Sequence, residues 1–233
     1  MGCARAHPDD GGANGGQHDP TGQARQCGWK APSVEGHCAV RLGDWGLIMG
    51  PMPTPHTPFF RVAVAADVFA IVDLVESAYR GESGQRGWTT ETHLLDGRRT
   101  DAESVAELID RACSVVLLVE RDDMLMACCH IEWQEDAGYF GMFAVRPELQ
   151  AEGVGRALLA EAEDFVRNEW HGTSMHMTVI EQRAELIAWY ERRGYRLTGG
   201  FKPFPYGQER FGIPRREDLR FACMSKSLIE VTA

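Results

Sequence analysis

A predicted strand, a short turn with two glycines and a predicted helix follow one another between Tyr139 and Trp170. Residues 139–145 form an apolar run rich in aromatic and β-branched side chains, which predicts a buried strand. From Val154 onward, apolar residues recur at helical spacing and charged residues take the opposite face, which predicts an amphipathic helix. This order of elements constrains the chain more than any other feature.

The glycines of the turn, Gly153 and Gly155, point to an anion-binding site. Glycines at the start of a helix let backbone N–H groups approach a bound group closely, and the unpaired amides of the first turn add partial positive charge. A phosphate or pyrophosphate suits such a turn, and a tight connection without a ligand is the alternative. The turn has neither the lysine of a P-loop nor the three-glycine spacing of a dinucleotide-binding fold.

Residues 1–57 differ in composition from the rest of the chain. They hold 11 of the 25 glycines and 6 of the 11 prolines and show no periodic apolar face. Such a segment cannot bury enough surface to offset the entropy lost on ordering, which predicts a disordered extension before a folded domain at 58–233. Met49 and Met52 stand just before the first predicted strand, so a translation start placed too far upstream is a second hypothesis.

Charge and composition narrow the classes of partner. The formal net charge of −10 argues against nucleic-acid binding and mildly favours a cationic partner such as an amine. No apolar run is long enough to span a membrane or to form a signal-peptide core, which predicts a cytoplasmic protein without a membrane partner. The cysteines and histidines match no zinc spacing, so we expect no metal.

The glycine turn also resembles a known family signature. The pattern Gln150-x-x-Gly153-x-Gly155-Arg156-Ala157, directly after an apolar strand, resembles the acetyl-coenzyme A signature of the GNAT superfamily of N-acyltransferases. The run from Gly87 to Asp101 and the segment PFPYGQERFG also resemble a bacterial-type subgroup of this superfamily with unknown substrate. The resemblance implies acetyl-CoA as co-substrate. It also implies two sets of cofactor-binding residues: Met142, Phe143, Ala144 and Val145 for the pantetheine arm and acetyl carbonyl, and Gln150, Ala151, Glu152, Gly153, Val154, Gly155, Arg156 and Ala157 at the pyrophosphate.

The predicted elements follow the order β-α-α-β-β-β-α-β-α-β-β, which is the order that the GNAT fold uses. We therefore expect an α/β (α+β) domain with a mixed, mostly antiparallel sheet of about six to seven strands and about four helices. The strands are expected over 59–64, 114–120, 124–133, 139–145, 174–180, 195–198 and 219–225, and the helices after Asp67, after Asp101, from Val154 and from Ala184.

A second resemblance covers residues 183–195. It matches the superfamily's second motif, in which a tyrosine lies near the cofactor sulfur, and here that tyrosine is Tyr190. A phenol can protonate a departing thiolate, which would make Tyr190 a general acid. Core packing is the alternative role. Arg183 and Leu186 stand where an asparagine and an alanine are frequent in this motif.

The general base and the acceptor site are less constrained. Some family members carry a glutamate at the place of Tyr139, so the candidates for the base are Glu132, Glu181 and an ordered water. Solvated strand-end charges are the alternative interpretation of both glutamates. Substrate selection in this fold usually falls to two loops, which here carry Trp88, Glu91 and Tyr206.

The expected function is transfer of an acetyl group from acetyl-CoA to a primary amine of a small molecule or peptide. The amine attacks directly, through a tetrahedral intermediate and without a metal. Two alternatives are a non-catalytic module that senses acyl-CoA and a GNAT-fold interaction protein. A homodimer would fit the resemblance, since dimers are frequent in the family.

Overall fold

The computed structural model describes residues 57–80, 91–134, 136–209 and 212–229. Within these residues the chain forms one seven-stranded sheet, one two-stranded sheet and four α-helices. The predicted N-terminal extension, apart from Thr57, and the predicted substrate residue Trp88 lie outside the described residues.

The elements follow the predicted order, with two short strands added. The strands are β1 Phe59–Val62, β2 Leu95–Asp96, β3 Ser114–Arg121, β4 Met124–Gln134, β5 Ala137–Val145, β6 Ser174–Ile180, β7 Arg196–Pro203, β8 Ile213–Pro214 and β9 Arg220–Ser227. The helices are α1 Val68–Tyr79, α2 Ala102–Asp110, α3 Val154–Asn168 and α4 Ala184–Glu191.

The large sheet has the strand order β1-β3-β4-β5-β6-β9-β7. β5 and β6 run parallel, and every other neighbouring pair in this sheet is antiparallel. This pattern confirms the expected mixed, mostly antiparallel sheet. The parallel pair arises because α3 connects β5 to β6 as a crossover between neighbouring strands.

Apolar side chains of the sheet alternate between two faces, each covered by a pair of helices. On one face, Phe140 and Phe143 pack with side chains of α3 and α4. On the other, Val116 and Leu118 pack with α1 and α2. The central strands β3, β4 and β5 are therefore buried on both sides, whereas the edge strand β7 is exposed along its length. The connections at the ends of the central strands can build a site.

The two aspartates at the predicted helix starts make different contacts in the structure. The Asp101 carboxylate accepts a hydrogen bond from the Ser104 amide at 2.7 Å, which is the predicted cap of α2. Asp67 occupies the N-cap position of α1, but its carboxylate binds the Val64 amide and the guanidinium of Arg61. It therefore ties the helix start to β1 instead of capping the helix.

The sequence did not predict two features of the strands. β7 was expected to end at Thr198, but it continues to Pro203 beyond an irregularity between Leu197 and Phe201. Gly199, at φ +80°, lies in this irregularity, and a glycine pair in a strand reads from sequence as a turn. The two-residue strands β2 and β8 are too short to show any periodicity, yet they join the loop before α2 to the loop before β9.

Candidate active site

A bulge interrupts β5 near its carboxyl end. The pairing of β4 with β5 shifts between Cys128 and His130, and Met142 takes a left-handed backbone conformation with φ +40°. The Tyr79 phenol on α1 donates a hydrogen bond to the backbone carbonyl of Phe143, the next residue. The bulge is thus turned out of the regular ladder and fixed from the α1 side.

The strands β5 and β6 separate just beyond this point. They pair from Gly138 to Phe140 of β5, and the described register contains no further pairs between them. Residues 178–180 of β6 instead pair with β9, and the end of β5 pairs with β4. A wedge therefore opens between two central strands, with backbone groups of 141–145 on one side.

The turn before α3 lies directly beside this wedge. A Cβ added at Gly155 would lie 2.9 Å from Cζ of Phe143 and 3.2 Å from Cγ2 of Val145, so the start of the helix rests on the end of β5. The structure brings the two predicted sets of cofactor residues together. Gly155 has to be small because a side chain there would collide with Phe143 and Val145. The motif suggested a different reason, namely the close approach of a ligand to the backbone.

Gly153 has a different role in the same turn. It precedes α3 in the left-handed conformation, with φ +83° and ψ 0°, and an added Cβ would meet nothing within 4 Å. The amide of Ala157 already donates to the Gly153 carbonyl at 3.0 Å, and that of Glu152 donates to Leu149 at 3.1 Å. The amides of the first helical turn have no partner within the helix, so they are the donors available to an anion.

A cleft of about 640 Å³ opens from the wedge toward α1, α2 and the end of β7. Its walls carry aromatic side chains from α1, β5, α4, β9 and the loop after β7, together with several charged side chains. The polar and aromatic lining residues include Tyr79, Glu91, Arg99, His130, Tyr139, Phe143, Arg183 and Tyr190.

Tyr190 reaches the cleft from α4. Its ring lies among those of Phe140 and Phe143, and the residue is 4% exposed. The structure shows no hydrogen bond of its hydroxyl to another described residue, although Tyr190 lines the cleft. Burial raises the pKa of Tyr190 well above its ordinary value, so the phenol keeps its proton at neutral pH. Packing and proton donation are compatible in this position.

The described lining of the cleft does not include the two glutamates considered as general base. Glu181 forms a two-point ion pair with Arg220 at 2.6 and 2.7 Å, and this pairing holds the pKa of its carboxyl below the ordinary value. Glu132 accepts a hydrogen bond from Gln134 at 2.8 Å and lies 3.5 Å from the guanidinium of Arg111. Both carboxylates are engaged away from the wedge.

His130 is a titratable group of the cleft that the sequence did not single out. The Ser114 hydroxyl donates to the carbonyl of Leu108 at 2.6 Å and lies 2.8 Å from Nε2 of His130. A hydroxyl has one proton to donate, so Nε2–H must be the donor to Ser114, and Nδ1 carries the lone pair. Burial lowers the pKa of His130 to about 4, so the ring is neutral at pH 7.

The sequence contains only weak evidence that His130 belongs to the site. His130 and Glu132 share one face of β4 because side chains alternate along a strand. Tyr139 and Gly141 lie opposite them on β5. The bulge places the cleft beside His130 and leaves Glu132 at the edge of the cleft. Its position depends on how β4 pairs with β5, which the sequence of one strand does not reveal.

The predicted substrate residues fall in different surroundings. Glu91 lines the cleft and is buried, with a carboxylate that faces three arginines. Tyr206 is outside the described cleft lining: its hydroxyl accepts from the Leu219 amide at 2.7 Å and donates to the Arg216 carbonyl at 3.1 Å. It fixes its own loop, and Phe204 from that loop lines the cleft.

Two further properties concern metal and membrane. The described residues contain no group of three or more histidine, cysteine, aspartate or glutamate side chains placed to hold a metal ion. In the described part of the chain, no helix is both long enough and apolar enough to cross a membrane.

Comparison with known proteins gives one family and many structural neighbours. The model of the family described as Acetyltransferase (GNAT) family matches residues 71–195. A search of curated protein sequences finds no match to this chain.

The structural neighbours have low sequence identity and share the fold. An N-acetyltransferase from Staphylococcus aureus Mu50 superposes with a TM-score of 0.57 at 11% identity, over 75% of this chain and 99% of its own. The Salmonella typhimurium protein yncA, solved with its cofactor acetyl-CoA, gives 0.55 at 19% identity, over 76% and 97%. The ribosomal-protein-S18-alanine N-acetyltransferase from Escherichia coli gives 0.54 at 16% identity, over 75% and 96%.

Proposed function

The chain belongs to the acetyltransferase (GNAT) family, and from that premise we propose that it transfers the acetyl group of acetyl-CoA to a primary amine. The observation that carries the proposal is the arrangement of three features around the end of β5. These are the wedge between β5 and β6, the start of α3 packed on Phe143 and Val145, and the Tyr190 phenol, which lines the cleft together with Phe143.

The residues present suit acetyl-CoA. The first-turn amides of α3 offer donors and partial positive charge to the pyrophosphate, and Gly153 leaves the space in front of them open. The backbone of 142–145 supplies donors and acceptors beside the wedge for the amide-containing pantetheine arm. Acetyl-CoA itself supplies an activated thioester, whose carbonyl carbon is open to attack by an amine.

Cationic side chains near α3 add to the anion site. Burial lowers the pKa of Arg193, and the neighbouring charges of Arg192 and Arg156 lower it further. The Arg193 guanidinium lies over the ring of Trp189, within the influence of the charges of Arg192 and Arg156. Such mutual repulsion is relieved when an anion binds, which favours a ligand with several phosphates.

The chemistry needs one proton removed and one supplied. As the new C–N bond forms and the C–S bond breaks, we assign Tyr190 as the donor to the leaving thiolate. Burial raises the pKa of the phenol, but it raises the pKa of a thiolate in the same surroundings too, so transfer stays feasible.

We assign Nδ1 of His130 as the group that accepts the proton of the amine, directly or through a water. The ring lines the cleft, is neutral, and presents its unprotonated nitrogen because Ser114 takes the other one. Its pKa of about 4 makes the imidazole a weak base, so a proton that it accepts passes on to solvent at once. Glu132 and Glu181 are held by other side chains and suit this role less well.

The cofactor site is tested by isothermal titration of acetyl-CoA into the full chain and two matched variants. Gly153→Asp places a carboxylate beside the first-turn amides, and Gly153→Asn places a neutral group of the same shape there. Asp and Asn both tolerate the left-handed backbone of this residue, so strain is similar in the two variants. A like charge at the pyrophosphate should weaken binding about tenfold or more relative to Asn, or about 1.4 kcal/mol.

The two variants separate charge from shape. Equal affinities of the Asp and Asn variants, both close to the wild type, would place the pyrophosphate elsewhere. No heat of binding to the wild type would contradict the proposed function and leave the interaction-protein alternative.

A further inference from the structure

A buried charge cluster forms one wall of the cleft beside α1. The Glu91 carboxylate lies 3.3 Å from a guanidinium nitrogen of Arg80, 3.3 Å from one of Arg183 and 3.7 Å from Nε of Arg99. The side chains of Glu91, Arg80 and Arg183 are each at most 9% exposed. Three cations thus surround one carboxylate in a poorly hydrated place, where charge imbalance is costly.

The surroundings do not restore the balance among the described residues. Glu76 adds a second negative charge beside Arg80 and Arg99, and its carboxylate accepts hydrogen bonds from the backbone amides of Arg99 and Thr100 at 2.5 and 2.9 Å. Three cations therefore still outnumber two anions. Farther along, the described cleft wall includes one more acid, Glu107, and two more cations, Arg111 and Lys202, of which Arg111 lies 3.5 Å from Glu132. Positive charge exceeds negative charge over the described wall as a whole.

Arg99 is the member of the cluster that faces the open cleft. Its side chain is 29% exposed, and its guanidinium lies 5.2 Å from the ring centre of Tyr79. Its ion pair with Glu91 is long, at 3.7 Å, and the structure shows no hydrogen bond from its side chain to another described residue. The planar fork of an arginine donates to two oxygens of one acid group, so Arg99 is prepared for a carboxylate.

The cluster lies close to the reacting end of the cleft. Tyr79 connects the two, because Arg99 lies over its ring and its hydroxyl donates to the Phe143 carbonyl at the bulge. Arg99 and the bulge are therefore about one tyrosine side chain apart. A ligand that reaches both has its two functional groups only a few bonds apart.

We infer that the acceptor is a small amino acid or a similar compound, whose acid group binds Arg99 while its amine reaches the bulge of β5. Arg80 and Arg183 hold Glu91 in place and add positive charge behind Arg99. The inference rests on the proposed function and names the class of its acceptor. It reverses the expectation of a cationic partner drawn from the net charge of −10, because the local charge of the cleft has the opposite sign.

The test measures thiol release from acetyl-CoA by the full chain with pairs of acceptors. Each pair is an α- or β-amino acid and its carboxamide, which differ in the acid group and keep the same amine and side chain. We expect the acid member of the best pair to have a kcat/KM about tenfold or more above that of the amide.

Three variants examine the role of Arg99. Arg99→Gln should raise KM for the acid about tenfold or more, with a smaller change in kcat and in the amide reaction. Arg99→Lys should restore part of the loss because it keeps the charge. Arg98→Gln removes the exposed neighbouring arginine, which does not line the described cleft, and should leave both reactions unchanged.

Each result decides between the inference and the proposed function. Equal rates for acid and amide, or a preference that Arg99→Gln leaves intact, would overturn the inference and keep the acetyltransferase activity. Acetyl-CoA binding without turnover of any acid member would overturn the inference as well. Failure to bind acetyl-CoA would overturn the proposed function and, with it, the acceptor class that depends on it.

Discussion

The Tyr79 phenol donates its hydrogen bond to the backbone carbonyl of Phe143 and thereby ties α1 to the bulge of β5. Both residues are buried, and both line the cleft. One hydrogen bond thus connects the acceptor side of the cleft to the strand end beside the α3 turn. The shape of the wedge depends on this connection.

Replacing Tyr79 with phenylalanine leaves the Phe143 carbonyl without this donor. We expect the free energy of unfolding to fall by about 1–3 kcal/mol, because a buried acceptor loses its partner. We also expect weaker acetyl-CoA binding, because the bulge is no longer held. Urea unfolding and isothermal titration measure the two effects.

Tyr195→Phe is the matched control for this change. The Tyr195 hydroxyl is also buried and donates to Glu163 at 3.0 Å, but Tyr195 is outside the described cleft lining. It should lower stability and leave the affinity for acetyl-CoA unchanged. A similar loss of affinity in both variants would show that Tyr79 acts through general stability.

Removing the charge of Glu91 should destabilise the fold strongly. Glu91→Gln leaves three guanidinium groups without their shared carboxylate, and breaking a buried ion pair in this way costs about 3 kcal/mol or more. Glu181→Gln, which breaks the exposed pair with Arg220, should change stability little. Equal losses in urea unfolding would contradict the buried cluster.

His130 makes stability depend on pH in a defined window. Its pKa is about 4 in the fold and 6.5 when unperturbed, so the unfolded chain gains a proton first as the pH falls. The stabilisation is complete above about pH 6.5 and is lost toward pH 4, by up to about 3 kcal/mol.

His130→Gln keeps a donor for Ser114 and removes the titration. We expect the difference in unfolding free energy between wild type and variant to shrink as the pH falls from 6.5 to 4, as followed by urea unfolding at fixed salt. Parallel pH profiles for the two proteins would show that the imidazole is not buried in its neutral form.

Tyr190→Phe separates proton donation from packing. The ring contacts with Phe140 and Phe143 stay, so folding and acetyl-CoA affinity should change little. If the phenol protonates the leaving thiolate, kcat should fall about 100-fold or more. An unchanged kcat would leave Tyr190 a packing residue. Absence of turnover in the wild type itself would favour a sensing module over an enzyme.

The sequence predicted well those features that depend on neighbours along the chain. The helix beginning at Val154 and the strand ending at Val145 were placed correctly because each has a clear period. Tyr190 was singled out because a motif fixes its distance from Gly194 and Tyr195; it lines the cleft, and its role as general acid stays a prediction. Gly153 and Gly155 were recognised as a pair, but their different roles depend on how α3 lies against β5.

The acceptor side depends on residues far apart in sequence. Glu91 meets Arg80, Arg99 and Arg183 only after α1, the β2 region and the start of α4 come together. Glu91 alone suggests a binding site for a cation. The three arginines around it make the local charge positive, which favours an anion instead. Local patterns carry no information on such pairings, so the charge of the cleft had to come from the structure.

Amine-dependent release of free thiol from acetyl-CoA tests the central claim most directly. The wild-type chain is incubated with acetyl-CoA, either alone or together with each amino acid or carboxamide acceptor. The mass of each product is then measured by mass spectrometry. We predict thiol release that requires an amine, together with a product heavier by one acetyl group. Bound acetyl-CoA with no amine-dependent thiol release from any acceptor would contradict the account.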